Sequence, residues 1–385
     1  MLLVFYCNYL NHHQVYLADA FYEILGNNFY FVATLSRNEK ELKGGVDYSM
    51  RPYCILAAES NDAHKRALIL AQEADVCIFG ACSQEYAVIR AKNASHKLSF
   101  ECGERWLKRG FLNILSPVFC QWWLNYMRYY RKANFFKLCS SAFSANDDRK
   151  LGCYDKRHFK WGYFTNVPIS YSTSYVNSCD KKQIVGTIDM TKIIWCGRFI
   201  DWKHPEIAIK CASMLKNAGY LFQLNMYGDG AMRKKMEIYV EKLHLGKYIN
   251  FYGSVSNEKI QHAMRESDIC LLTSDRQEGW GAVANEAMAN SCCLVCSDEV
   301  GSAPFLIKNY KNGLMFKCKS TKDLFDKVSY LIRHPYECKR MSEYGYMSMF
   351  TTWSPKVASE RLLILVDCLQ NKNSIPFTDG PCSIA

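Results

Sequence analysis

Short apolar runs alternate with longer amphipathic stretches through most of the chain, the rhythm of repeated strand–helix units and a parallel sheet. Residues 2–6 predict a strand, 15–25 a helix and 29–34 a second strand, and 63–73 predict a helix that feeds a strand at 76–79. From 160 to 182 the pattern thins into KWGYFTNVPISYSTSYVNSCDKK, which is polar, without period and predicts a connector. A second alternating series then begins: strand 192–196, helix 205–218, strand 222–227, helix 232–243, strand 249–252, helix 257–265 and strand 269–273. A glycine-rich turn, helix 282–290, strand 293–296 and helix 321–334, ended by Pro335, complete it. An amphipathic helix is expected over 357–369.

Two α/β halves joined by one connector predict two Rossmann-like α/β/α domains facing across a cleft. The expected boundaries are 1–165 for the first domain, 166–190 for the linker, 191–345 for the second domain, 346–370 for a terminal helix and 371–385 for a loose tail. Open α/β sheets bind ligands beyond the carboxyl ends of their strands, so the turns after 196, 227 and 273 are the places to look for chemistry.

Composition narrows the class. With 49% hydrophobic and 22% charged residues, wholesale disorder is excluded. The net charge of +11 suits an anionic partner: a phosphate ligand, an anionic lipid surface or nucleic acid. The 19 cysteines are scattered, several within apolar runs, which reads as a reduced, cytoplasmic chain. Cys293-Leu-Val-Cys296 has no matching second pair and is expected to pack in a core. The first residues have no basic n-region and no small-residue cleavage site, so secretion is not indicated.

The most informative segment is Glu278-Gly279-Trp280-Gly281-Ala282-Val283-Ala284-Asn285-Glu286. Gly279 and Gly281 permit a tight turn directly before good helix formers, so the amides of Ala282 and Val283 predict an anion site. Glu278 and Glu286 are eight positions apart, a little over two helical turns, and both can project to one side. Their carboxylates suit sugar hydroxyls; taken alone, Glu286 also reads as a solvated helix residue and Glu278 as a complement to the helix dipole. Gly197-Arg198 with Lys203, and Gly228-Asp229-Gly230, close two strands on the same expected sheet edge.

The order GRF…WKHP, YGDG, FYGSVSNEKI and DICLLTSDRQEGWGAVANEAMA resembles the C-terminal half of glycosyltransferase family 4, retaining enzymes of the GT-B fold, over about 192–335. The first half is similar only in its βα rhythm and in phrases such as FSANDDR and KWGYFTNV, like those of bacterial polysaccharide assembly transferases. The resemblance implies that Arg198 and Lys203 hold a donor diphosphate and that Glu278 lies against the donor sugar. It implies further that Glu286 binds the ribose, that Gly279, Trp280, Gly281, Ala282 and Val283 form the phosphate turn, and that Gly228 admits close approach. The donor would be a UDP- or GDP-linked sugar, with no further cofactor. No D-x-D pair or histidine cluster suggests a metal.

Two features of the first half remain open. His13, in Asn11-His-His-Gln14, and Glu104 are candidates for an acceptor side, or else parts of ordinary structural loops. The basic aromatic segment 105–137, whose stretch 110–127 carries no charge, reads either as an interfacial helix on an anionic membrane or as an aromatic core helix; nucleic acid is not expected. The resulting expectation is a glycosyltransferase with a glycan or lipid-linked acceptor, peripheral on the inner face of the plasma membrane. The rivals are a sugar-phosphate synthase with a soluble acceptor and an inactive nucleotide-sugar-binding membrane scaffold.

Overall fold

A computed structural model of the chain describes residues 1–36, 48–168 and 190–385. It divides into two units, one of residues 1–165 with 352–385 and the other of 166–351. The linker expected at 166–190 lies outside the described residues from 169 to 189.

The first unit is built on a seven-stranded sheet whose paired strands are all parallel. Its strands are β1 (Leu3–Cys7), β2 (Phe29–Ala33), β3 (Cys54–Leu56), β4 (Val76–Phe79), β5 (Leu98–Gly103), β6 (Phe135–Cys139) and β7 (His158–Lys160), in the order β3-β2-β1-β4-β5-β6-β7. Every residue of β1 and β4 is buried, which is why they read as unbroken apolar runs: helices cover a parallel sheet on both faces. β3 and β7 escaped sequence reading because three residues at a sheet edge carry almost no periodicity, and β5 and β6 were not read from the sequence either.

The second unit has a six-stranded parallel sheet of β8 (Thr191–Cys196), β9 (Phe222–Tyr227), β10 (Ile249–Gly253), β11 (Ile269–Leu272), β12 (Cys293–Ser297) and β13 (Leu314–Phe316), ordered β10-β9-β8-β11-β12-β13. Strand order reverses between β8 and β11, so the loops after these two strands border the switch point where such sheets take ligands. Cys293 and Cys296 lie buried in β12, as core thiols. Pro335 ends one helix and also starts the next, Pro335–Thr351, because proline fits the first helical turn, where its missing N–H has no partner to lose.

Two expectations for the C-terminal region change. The terminal helix runs Pro355–Asn371 and packs on helix Val15–Leu25 of the first unit. Residues 371–385, expected as a loose tail, dock against the edge strand β7. Lys160 N donates to Ser383 O at 2.8 Å, Cys382 N to Lys160 O at 2.8 Å and Ala385 N to His158 O at 3.2 Å, with Cys382 and Ser383 buried. An edge strand presents unpaired backbone groups, and here the tail satisfies them.

Candidate active site

β8 delivers Gly197 and Arg198, and the turn that follows brings Lys203 back over the strand end. Lys203 Nζ is hydrogen-bonded to Glu278 Oε2, which also accepts from Ser274 Oγ at 3.0 Å. Arg198 is exposed, and its guanidinium lies 5.7 Å from the Trp202 ring centroid while Lys203 Nζ lies 4.8 Å from it on the same residue. The loop backbone is anchored by Thr273 Oγ1 donating to Lys203 O at 2.7 Å and by Asp275 N donating to Trp202 O at 2.9 Å. Cys196, the last residue of β8, has its thiol pushed up to about 12 by burial and by Glu286, with Lys203 opposing. Its thiol therefore sits within the fields of both the carboxylate and the ammonium.

Glu286, in the short helix Val283–Ala289, is 6% exposed and accepts one hydrogen bond, from Asn257 Nδ2 at 3.0 Å. Burial raises its carboxyl to about 7, which Asn257 only partly offsets. A carboxyl in this state stands ready to gain hydroxyl partners. Gly281 has φ +86°, and a Cβ there would meet Val300 Cγ1 at 3.0 Å, so the turn into the helix requires glycine. Gly228, at φ +122°, runs so close to the β8 turn that a Cβ would lie 1.9 Å from Gly197 O. The first hydrogen bonds of the helix run from Ala284 N to Gly281 O and from Glu286 N to Ala282 O, and the amides of Ala282 and Val283 stand ahead of them, beyond β11. Gly279 is buried in the same turn.

The side chain of Trp280 lies inside the turn. Its indole is fully buried and donates to Asn285 Oδ1 at 2.8 Å, so its side chain braces the turn and is not free to stack on a donor.

In the first unit the two candidates meet through a third residue. The His13 ring stacks on Tyr163, with centroids 5.6 Å apart, and Tyr163 OH donates to Glu104 Oε1 at 2.7 Å. Glu104 Oε2 takes Lys108 Nζ at 2.5 Å. Burial, aided by His12, lowers the His13 imidazole to about 3, and its Nδ1 is buried without a hydrogen-bond partner among the described residues. Sequence reading missed Tyr163, placed in the connector, along with Asn257, Ser274, Asp275 and His204. All are polar residues in loops or at helix starts, without a motif of their own.

Among the described residues no group of three or more His, Cys, Asp or Glu is placed to hold a metal ion. The segment 110–128 is two-faced: Phe119, Trp122 and Tyr126 enter the core, whereas Phe111, Leu112, Leu115 and Val118 are 61, 71, 76 and 63% exposed. No helix of the described residues is long and apolar enough to cross a membrane.

Residues 181–348, which carry the whole Lys203–Glu278–Glu286 cluster, match the family of glycosyl transferases group 1. The match covers 168 of the 385 residues, somewhat under half of the chain. A glycosyltransferase of Methanocaldococcus jannaschii, itself uncharacterized, is 30% identical over 169 residues, 44% of this chain and 46% of that protein. An alpha-1,4-N-acetyl-D-galactosaminyltransferase of Campylobacter jejuni, named for a PP-undecaprenol glycan, is 28% identical over 141 residues, 36% of this chain and 38% of that one. The matching stretch thus spans less than half the length of either relative. Anabaena HepE in complex with UDP aligns over 95% of this chain and 100% of its own with a TM-score of 0.69 at 14% identity, which shows the GT-B fold of two Rossmann-like domains.

Proposed function

We propose that the chain transfers a glycosyl group from a nucleoside diphosphate sugar, UDP-linked in the first instance, to a hydroxyl on a lipid-linked or growing glycan, with retention at the anomeric carbon. The observation that carries this reading is the pairing of Lys203 with Glu278 at the switch point, beside the buried and nearly unpartnered carboxyl of Glu286. The family match and the UDP-bound structural neighbour support it.

Departure of the diphosphate puts negative charge on its oxygens. Arg198 and Lys203 meet that charge, and the amides of Ala282 and Val283 add donors. Donor binding then exchanges the Lys203–Glu278 pair for Lys203–phosphate, which releases the Glu278 carboxylate toward the sugar. Glu286 takes ribose hydroxyls. In the first unit, the neutral His13 Nδ1 and the Tyr163–Glu104 pair are the polar groups offered to an acceptor hydroxyl.

The exposed apolar residues 111–118 are the surface we assign to an anionic membrane, at the inner face of the plasma membrane in a cell that builds its glycan there. From Arg105 to Asn146 the chain has no Asp or Glu, and Arg109, Arg128, Arg131 and Lys132 are exposed around the apolar lobe. Apolar residues ringed by cations fit an interfacial contact with anionic lipid.

Incubation with UDP- and GDP-sugars and an undecaprenol-diphosphate glycan tests the enzymatic reading, with the product's anomeric configuration read by NMR. Sugar transfer with retention is expected. Binding of nucleotide without any transfer would favour the inactive scaffold, and transfer to a sugar phosphate alone would favour the synthase.

A further inference from the structure

Directly after Lys203 the backbone enters the left-handed region: His204 has φ +50° at the junction between the turn Asp201–Lys203 and helix Pro205–Asn217. Histidine is among the few residue types enriched in that conformation. Here its imidazole is gripped on both sides, with Nδ1 2.9 Å from Glu206 Oε1 and Nε2 3.2 Å from Asp275 Oδ2. A neutral imidazole owns one N–H and satisfies one of these carboxylates, whereas an imidazolium donates to both.

The two carboxylates belong to different elements. Glu206 stands in the first turn of the helix after β8, and Asp275 lies on the loop after β11, three residues before Glu278. The bridge therefore links the segment that carries Lys203 to the segment that carries its partner.

Among the described residues the other charged groups that face it are few. Lys319 Nζ lies 3.3 Å from Asp275 Oδ2, Lys210 acts on Glu206, and Lys203 is taken by Glu278. Asp275 Oδ1 accepts from Gln277 N at 3.0 Å, and Glu206 Oε2 is buried without a hydrogen-bond partner among the described residues. The hydrogen bond to Glu206 raises the imidazole above its ordinary value; burial opposes this and Asp275 adds to it.

We propose that His204, doubly protonated, is a positioning residue that ties the loop after β8 to the loop after β11, fixes where Lys203 stands at the strand ends and so couples nucleotide binding to a proton at residue 204. The inference rests on the reading of Lys203 as a diphosphate ligand. Below the raised imidazole pKa the bridge is complete. As the pH climbs through it, one N–H is lost, one carboxylate is released and Lys203 loses its fixed direction, so affinity falls. Glu286 acts in the opposite sense, since its ionised form accepts ribose hydroxyls. That contribution, and the titration of UDP itself, are shared by wild type and by variants at 204.

The test is calorimetric binding of UDP to the full chain between about pH 5 and 8, the interval over which histidine titrates, compared among wild type, His204→Gly, His204→Asn and Lys203→Met. Glycine and asparagine both accept the left-handed backbone, and neither bridges two carboxylates as a cation. At the acid end wild type is expected to bind UDP roughly fivefold more tightly than His204→Gly, the lower range for coupled sites. That ratio should shrink toward one at the alkaline end, and His204→Asn should follow glycine. A ratio that stays constant with pH, or a glycine variant equal to wild type throughout, overturns the bridge. If Lys203→Met keeps wild-type affinity, the donor-site reading falls and the inference with it. If Lys203→Met loses binding while His204→Gly does not, only the bridge is wrong.

Discussion

Glu286 shows how one buried side chain sets function against stability. Its carboxyl titrates near 7 because burial disfavours the charge, so the folded state keeps a proton that the unfolded chain gives up near the ordinary carboxylate value. Stability associated with this group is therefore full in acid, declines as the pH rises from that ordinary value to about 7, and is at its minimum above. Glu286→Gln is expected to raise the melting temperature at alkaline pH, by a stability gain of up to about 3 kcal/mol, and to weaken UDP binding in the same preparation. A variant that melts like wild type at alkaline pH would show that the carboxyl is solvated. Arg198→Ala is expected to lower kcat by about a hundredfold, the scale of one lost electrostatic contact to a developing charge, with a smaller rise in donor KM. A raised donor KM with kcat unchanged would mean that Arg198 binds donor and transition state alike. Glu278, Lys203 and Glu286 were legible in the sequence because motif spacing is a local property. The burial of the Trp280 indole was not legible there, because it depends on Asn285, whose position only the folded helix supplies.

At the scale of elements, strands and helices with strong periodicity were predicted within a residue or two, and helix Val15–Leu25, strand Val76–Phe79 and helix Asn257–Arg265 without error. β3 and β7 and the docked tail were not, since what makes them strands or an ordered edge is pairing with distant backbone. The close passage of Gly228 over the β8 turn likewise belongs to the assembled sheet. Gly228→Ala is expected to destabilise the second unit by roughly 1–3 kcal/mol through forced displacement of packed backbone, measured by denaturant unfolding, and to reduce UDP affinity because the β8 turn carries Arg198 and Lys203. Wild-type unfolding would mean that the two turns are not in contact. Removal of residues 373–385 should lower the melting temperature of the first unit by several degrees, since it uncovers the β7 edge and the Asp379 contacts of Lys160 and Arg361.

For the whole molecule, the charge of +11 and the acid-free stretch from Arg105 to Asn146 direct attention to one face of the first unit. The paired change Leu112→Ser with Leu115→Ser is expected to reduce sedimentation with phosphatidylglycerol-containing vesicles at least tenfold, on the order of several buried methylenes, and to leave UDP affinity untouched. Binding that persists in the pair would remove the apolar lobe from the membrane contact. Composition alone left this segment open between core and surface, and the fold divides it between both: Phe119, Trp122 and Tyr126 inward, Phe111, Leu112, Leu115 and Val118 outward. Taken by itself, the sequence determined the two α/β halves, the turns at their strand ends and the residue types that those turns present. Periodicity and turn chemistry act over a few neighbours and need no knowledge of the rest of the chain. Only the tertiary structure decided that Lys203 meets Glu278, that His204 bridges Glu206 and Asp275, that Tyr163 joins His13 to Glu104 and that the last residues close an edge. Each of these depends on groups brought together by parallel strand order, and that order is settled by the packing of the whole sheet.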